Sequence, residues 1–220
     1  MAKLTAKRKV KKVTKPRAKA AAPKKNIGAM MAGGGDKKKR DPNDYTPTPE
    51  GITRAFIPVL KMIGWPKSVW EPACGKLHMA KELRNAGFDV WASDLIDRGV
   101  NAEIIDFLKA PSARRESIVT NPPFKLADEF IYHALDFLEV EHMALLLPAG
   151  FWHAAFRAAL WHQHTPSMVM PITTRIDATG QGQPTMNVQW TVWTTLRRPL
   201  IGCDPLTSEE KNWGRYDKAA

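Results

Sequence analysis

Four short stretches combine residue types that could build a single binding site. Glu71-Pro72-Ala73-Cys74-Gly75 follows the apolar residues of "SVWEPACG", Asp94 closes "DVWASD", Asp106-Phe107 follows "AEII", and Asn121-Pro122-Pro123-Phe124 follows "SIVT". Each stretch ends a predicted strand, and in an open parallel sheet a ligand lies beyond the carboxyl ends of the strands. Gly75 permits a tight turn and a close approach of backbone to ligand. Asp94 offers an acceptor pair where dinucleotide folds hold a ribose diol. Asp106 can accept from an exocyclic amine, and Phe107 can give a purine an apolar wall. Together these groups describe a pocket for an adenosine. No G-x-x-x-x-G-K-[ST] loop occurs, so nothing cradles a triphosphate.

The elements that must position this rim are legible from periodicity. In "TPEGITRAFIPVLKMI" the residues Ile52, Phe56, Val59, Leu60 and Ile63 share one face, which predicts a helix with Thr48 as N-cap, Pro49 at its first position and a kink or break at Pro58. "KLHMAKELRNAG" reads as a helix ending on Gly87. "KLADEFIYHALDFLE" reads as a helix with Leu126, Phe130, Ala134 and Leu138 inward, and "WHAAFRAALWHQH" as another. Between them lie the strands already named and "HMALLLP". Alternating strands and helices imply a mainly parallel sheet covered on both faces. The last two strands, "SMVMPITTRI" and "MNVQWTVWTTL", are joined by "DATGQGQPT" and predict a hairpin at the far edge.

Composition sets further bounds. The chain has 220 residues, 44% of them hydrophobic, which suits one globular domain with a sizeable core. Its net charge of +11 is unevenly placed: residues 1–40 carry 15 of the 33 basic residues and one acid, Asp36, and the remainder carries 18 basic against 21 acidic residues. That segment has no aromatic residue and little apolar periodicity, so it reads as a disordered basic tail, with the domain spanning 41–204 and a peripheral segment 205–220. Clustered Lys and Arg suit a polyanion such as nucleic acid; a solubilising or localising tail would have the same composition. Only Cys74 and Cys203 occur, no CxxC pair is present, and no apolar run is long enough for a secretory signal or a membrane span. A reduced, cytoplasmic protein of a bacterial or phage-infected cell is the expectation, with no membrane partner. His153, His162 and His164 lack an acid or Cys at ligand spacing, so no metal site is predicted.

"VWEPACG", the acid of "ASDL", "IIDFL" and above all "NPPF" resemble the S-adenosylmethionine-dependent amino-methyltransferases, particularly small, phage-type DNA adenine N6-methyltransferases. "DYTPTPEGITRAF" is similar to the segment that precedes the first strand in that family, and the resemblance covers residues 44–195. It implies a Rossmann-like class I methyltransferase fold: a mostly parallel seven-stranded sheet with an antiparallel edge hairpin and helices on both faces. It implies that Tyr45, Thr46 and Pro47 touch the methionine part of S-adenosyl-L-methionine, that Glu71, Pro72, Ala73, Cys74 and Gly75 form the main cofactor loop, that Asp94 binds ribose, and that Asp106 and Phe107 hold the adenine. Asn121, Pro122, Pro123 and Phe124 would be the catalytic loop, with Asn121 also next to the cofactor. The chain departs from the family at Leu77, where a second glycine is common, and it lacks the separate target-recognition domain of larger relatives.

A conjugated amine is a poor nucleophile because its lone pair is delocalised into the ring. Acceptors aimed at both of its hydrogens, the Asn121 side-chain oxygen and the Pro122 carbonyl, would turn that lone pair toward an electrophile. The prolines keep the loop extended, and Phe124 can stack on a base flipped out of a duplex. Phe124, Lys125, Arg175, Gln181 and Gln183 are the candidates for substrate contact, with DNA attracted by the tail. The loop alone does not name the acceptor nitrogen: RNA adenine or guanine and protein glutamine amides fit it as well, and a non-catalytic DNA-binding module would share the fold.

Overall fold

The computed structural model describes residues 47–175 and 186–196. The basic tail, Tyr45, Thr46, the turn carrying Gln181 and Gln183, Cys203 and the segment 205–220 lie outside the described residues. The chain runs α1 (Glu50–Met62), β1 (Ser68–Glu71), α2 (His78–Asn85), β2 (Asp89–Asp94), β3 (Glu103–Ile104), β4 (Ser117–Thr120), α3 (Ala127–Tyr132), β5 (His142–Pro148), α4 (Ala158–Gln163), β6 (Met168–Pro171) and β7 (Val188–Thr194). The seven strands form one sheet in the order β3-β2-β1-β4-β5-β7-β6, parallel except for β7, which runs antiparallel to both of its neighbours. The order reverses between β1 and β4, which opens a crevice beyond their carboxyl ends.

Helices cover both faces because the central strands are apolar on both. Along β5 the side chains alternate: Ala144 and Leu146 join one buried cluster, and Met143, Leu145 and Leu147 join the other. The first cluster takes Ile52, Phe56 and Leu60 of α1 and Met79, Ala80 and Leu83 of α2. The second takes Phe130 and Ile131 of α3 and Leu160 of α4. Phe56 stacks on Trp190 of β7 with ring centroids 4.2 Å apart, which docks α1 against the antiparallel strand. Buried indoles are satisfied by serines: Trp65 Nε1 donates to Ser117 Oγ at 3.0 Å and Trp70 Nε1 to Ser93 Oγ at 2.9 Å.

The helices depart from the sequence reading in four places. α1 continues through Pro58, which sits on its exposed side, so the expected kink does not become a break. Its N-cap is Pro49, not Thr48, whose hydroxyl is engaged elsewhere. The helix expected from Lys125 starts at Ala127 after a 3-10 turn (Phe124–Leu126) and relaxes into a π turn at His133–Phe137. Leu126 consequently faces outward, 37% exposed, and Ala127 and Ile131 are buried with Phe130 and Ala134. The helix expected over 152–164 is divided into two 3-10 turns, Phe151–His153 and Ala155–Arg157, before α4. Ala154 is extended at that division, and Arg157 is held by Asp128 and by the Phe151 carbonyl.

Candidate active site

The carboxyl rim of the sheet carries a cavity of about 280 Å³ lined from all four predicted stretches. Glu71, Pro72, Ala73 and Cys74 come from the loop after β1, Asp94, Leu95, Ile96 and Arg98 from the end of β2, Ile105, Asp106, Phe107 and Leu108 from beyond β3, and Asn121 to Phe124 from the loop after β4. Thr48, His78, Met79, Leu126 and Phe130 complete the wall.

The loop after β1 owes its course to two residues with positive φ, Gly75 at 55° and Leu77 at 64°. For Leu77 this left-handed conformation is sterically unfavourable, and it is the position at which a glycine would be at ease. The turn is fastened by Leu77 N–H donating to the Cys74 carbonyl at 2.8 Å and by Cys74 N–H donating to the Ser93 carbonyl at 3.0 Å. Asp94 ties this loop to the next: its Oδ2 accepts from Gly75 N–H at 2.8 Å and its Oδ1 from Ile96 N–H at 3.0 Å, with the Arg98 guanidinium 3.6 Å away. A carboxylate has about four lone-pair sites, so capacity for a diol is left.

Asp106 caps a 3-10 turn by accepting from Leu108 N–H at 3.2 Å and meets Lys109 Nζ at 2.8 Å. Phe107 is only 3% exposed and stacks on Phe130 at 4.5 Å with Trp70 at its edge, so its ring is anchored in the core while the residue still borders the cavity. Glu71 is 2% exposed and deeply buried beneath the loop. Burial raises its carboxyl well above the usual range, with nearby Asp94 adding to the shift, against a hydrogen bond from the Ala80 backbone and the charge of Arg84. Its Oε2 has no hydrogen-bond partner among the described residues. Burial, and then the Glu71 and Asp94 carboxyls, also push the Cys74 thiol up to about 12, which keeps it neutral and unreactive.

On the other side of the cavity, Asn121 and Thr48 meet across 73 residues of sequence: Asn121 Nδ2 donates to Thr48 Oγ1 at 3.0 Å. Pro122 is buried, and the Pro123 carbonyl accepts from Leu126 N–H at 2.8 Å, which closes the loop into α3. Phe124 is half-buried, packed against the α1/α2 core cluster on one side and bordering the cavity on the other. Lys125 and Arg175 are exposed and do not line the cavity. Neither does Pro47, whereas Thr48 does. The sequence signal for Thr48 was present, a Thr-Pro pair just before α1, but the neighbouring Thr46-Pro47 pair carries the same signal.

Among the described residues no group of three His, Cys, Asp or Glu could hold a metal, and no helix is long and apolar enough to cross a membrane. The cavity's chemistry is acidic, with Glu71, Asp94 and Asp106 in its wall, one of them with an orphaned buried oxygen. That donor set fits a ligand that carries a diol, an amine and positive charge, as S-adenosylmethionine does.

No protein-family model matches the chain, and no curated protein matches it. Solved structures do. A proposed RNA methyltransferase from Pyrococcus horikoshii superposes with a TM-score of 0.56 at 13% identity, over 71% of this chain and 93% of that one. A Thermoplasma acidophilum protein gives 0.52 at 14% identity, over 74% and 93%. The methyltransferase subunit of a type I restriction-modification system from Streptococcus thermophilus gives 0.50 at 13% identity, over 70% of this chain and 45% of that subunit, so this chain spans under half of it. At such identities the likeness is one of architecture, and with the strand order and the single antiparallel strand it establishes a Rossmann-like class I methyltransferase fold.

Proposed function

We propose that the protein transfers a methyl group from S-adenosyl-L-methionine to the exocyclic N6 amine of adenine in DNA. The observation that carries this reading is the convergence of the Glu71–Gly75 loop, Asp94, Asp106 and the Asn121–Phe124 loop on one cavity. The bound cofactor would supply a methyl group already activated on a sulfonium. Glu71, Asp94 and Asp106, with the backbone around Gly75, would hold it.

The work of this chain is then alignment. The Asn121 side-chain oxygen and the Pro122 carbonyl accept from the two amine hydrogens, which directs the nitrogen lone pair at the methyl carbon. Phe124, braced from behind by the core, stacks on the base. As the carbon–nitrogen bond forms, the carbon–sulfur bond breaks and its electrons return to sulfur. The nitrogen then gives up a proton to water. Two fixed dipoles at the amine and a restricted approach geometry supply the rate enhancement, so no strong general base is needed.

Nucleic acid as acceptor is supported by the rim beside this loop. Residues 149–165 contain no acid, and they carry Arg157 and three histidines. Phe156 is 74% exposed, Trp161 is also exposed, and Arg157 packs 4.6 Å from the Phe156 ring. Cationic groups interleaved with exposed aromatics suit phosphates and unstacked bases. Arg157 is bonded to Asp128 of α3 at 2.7 Å, which ties this surface to the helix that begins just after Phe124. The basic tail would add attraction without sequence preference.

The test is incubation with radiolabelled S-adenosylmethionine and separate DNA, RNA and protein acceptors, followed by nucleoside and amino-acid analysis. N6-methyladenine in DNA is the expected product. Label in RNA or in glutamine would keep the pocket and replace the acceptor. Absence of label from every acceptor would leave a non-catalytic module.

A further inference from the structure

Asn121 can present either face of its amide to the cavity, and the two faces do opposite things. Turned one way it offers an oxygen, which accepts from an amine; turned the other way it offers two N–H donors, which would oppose the amine's own hydrogens. We infer that Thr48 is the residue that fixes this choice: its hydroxyl binds the Asn121 Nδ2 side at 3.0 Å and so commits the oxygen side to the methyl acceptor. This role rests on the methyl-transfer reading given above.

Three features make Thr48 fit for the task. It is 7% exposed and lines the same cavity, so water does not compete freely for the amide. Both partners precede a proline, Thr48 before Pro49 and Asn121 before Pro122, and such residues are restricted to extended backbone. Each side chain is therefore launched from a backbone with few alternatives. Thr48 is also anchored behind by α1, whose Ile52 N–H bonds the Pro49 carbonyl at 3.1 Å and whose Ile52 and Phe56 are buried in the core. The contact joins chain segments 73 residues apart, so the orientation of the loop after β4 is set by the entry to the domain and not by the loop alone. Thr48 is thus a positioning residue, acting through Asn121.

Two measurements on the full chain decide this. In protein labelled with ¹⁵N at asparagine, the Asn121 side-chain amide is assigned by its loss in Asn121→Ala. Thr48→Val, which keeps the shape and removes the hydroxyl, should shift that pair of resonances and speed their exchange with water, while Thr48→Ser should restore both. In methyl transfer, Thr48→Val should lower kcat on the order of tenfold to a hundredfold, the scale of a misplaced catalytic group. The KM for the acceptor and the affinity for S-adenosylmethionine should stay near wild type, and Thr48→Ser should recover most of the rate. Unmoved Asn121 amide resonances in a folded Thr48→Val protein would overturn the inference, as would equal loss of rate in the Ser and Val variants. If wild type methylates nothing, the functional reading fails, and the amide spectrum still decides whether Thr48 holds Asn121.

Discussion

The loop after β1 and the loop after β4 line the same cavity but are held by different means. The first is fastened through its backbone: Asp94 accepts from Gly75 and Ile96, Cys74 bonds Ser93, and the course demands a left-handed Leu77. The second is stiffened by two prolines and steadied by a side-chain bond from Asn121 to Thr48. A ligand that must be enclosed calls for shaped backbone, whereas a reacting amine calls for one well-aimed side chain. Substitutions should accordingly separate: changes at the second loop act on turnover, and changes at the first act on binding and stability.

The largest effect should come from the aimed side chain. Asn121→Ala is expected to lower kcat by about a hundredfold or more, the scale seen when one fixed dipole at a reacting centre is removed, with melting temperature and cofactor affinity nearly unchanged. Comparable losses in binding and in kcat would erase the proposed division. Next, Phe124→Ala should weaken acceptor binding by about 1–3 kcal/mol if its ring stacks on a base, read as a rise in the acceptor KM. A change confined to thermal stability would instead assign Phe124 to packing alone.

At the first loop the expectation is a reversal of a common preference. Leu77→Gly and Leu77→Ala both remove the side chain, yet the glycine variant should be the more stable by about 1 kcal/mol, because a side chain in the left-handed region costs roughly that much. Chemical denaturation of the two variants gives the comparison directly, and a more stable alanine variant would refute the strained conformation. The smallest effect concerns Glu71. Its folded carboxyl is raised above the ordinary value of 4.5, so the native state holds a proton that the unfolded state releases. This contribution to stability is fully present below the unfolded value and is lost as pH rises toward and through the folded one, with a slope of at most about 1.4 kcal/mol per unit. Glu71→Gln should flatten that fall, and an unaltered profile would show that Glu71 is not the group responsible.

The same contrast explains what the sequence disclosed. Strand ends were legible because period-2 and continuous apolar runs stop at chemically distinct residues, Glu71, Asp94 and Asn121, and the sheet brings those ends to one rim. The edge hairpin followed from two apolar runs separated by a glycine-bearing stretch. Local helix shape was less legible. Leu126 fits a helical face by spacing, but a helix cannot begin until the chain has cleared Pro123, so the first turn is 3-10 and Leu126 turns outward. The division at Ala154 has no local signal, since alanine favours helix; it accompanies the long-range pairing of Arg157 with Asp128. Thr48 looked like a helix cap because a cap is the commonest use of a threonine before an apolar period, and its bond to Asn121 is visible only in three dimensions.

The central claim is that the rim cavity is an S-adenosylmethionine pocket. Isothermal titration of the full chain with S-adenosylmethionine, alongside Asp94→Ala and Asn121→Ala, tests it without reference to any acceptor. The account predicts saturable binding of one cofactor per chain, retained in Asn121→Ala and abolished or weakened at least about a hundredfold in a folded Asp94→Ala protein, since that carboxylate both shapes two loops and faces the ligand. No binding to the folded wild-type chain, or equal binding by the Asp94→Ala variant, would contradict it.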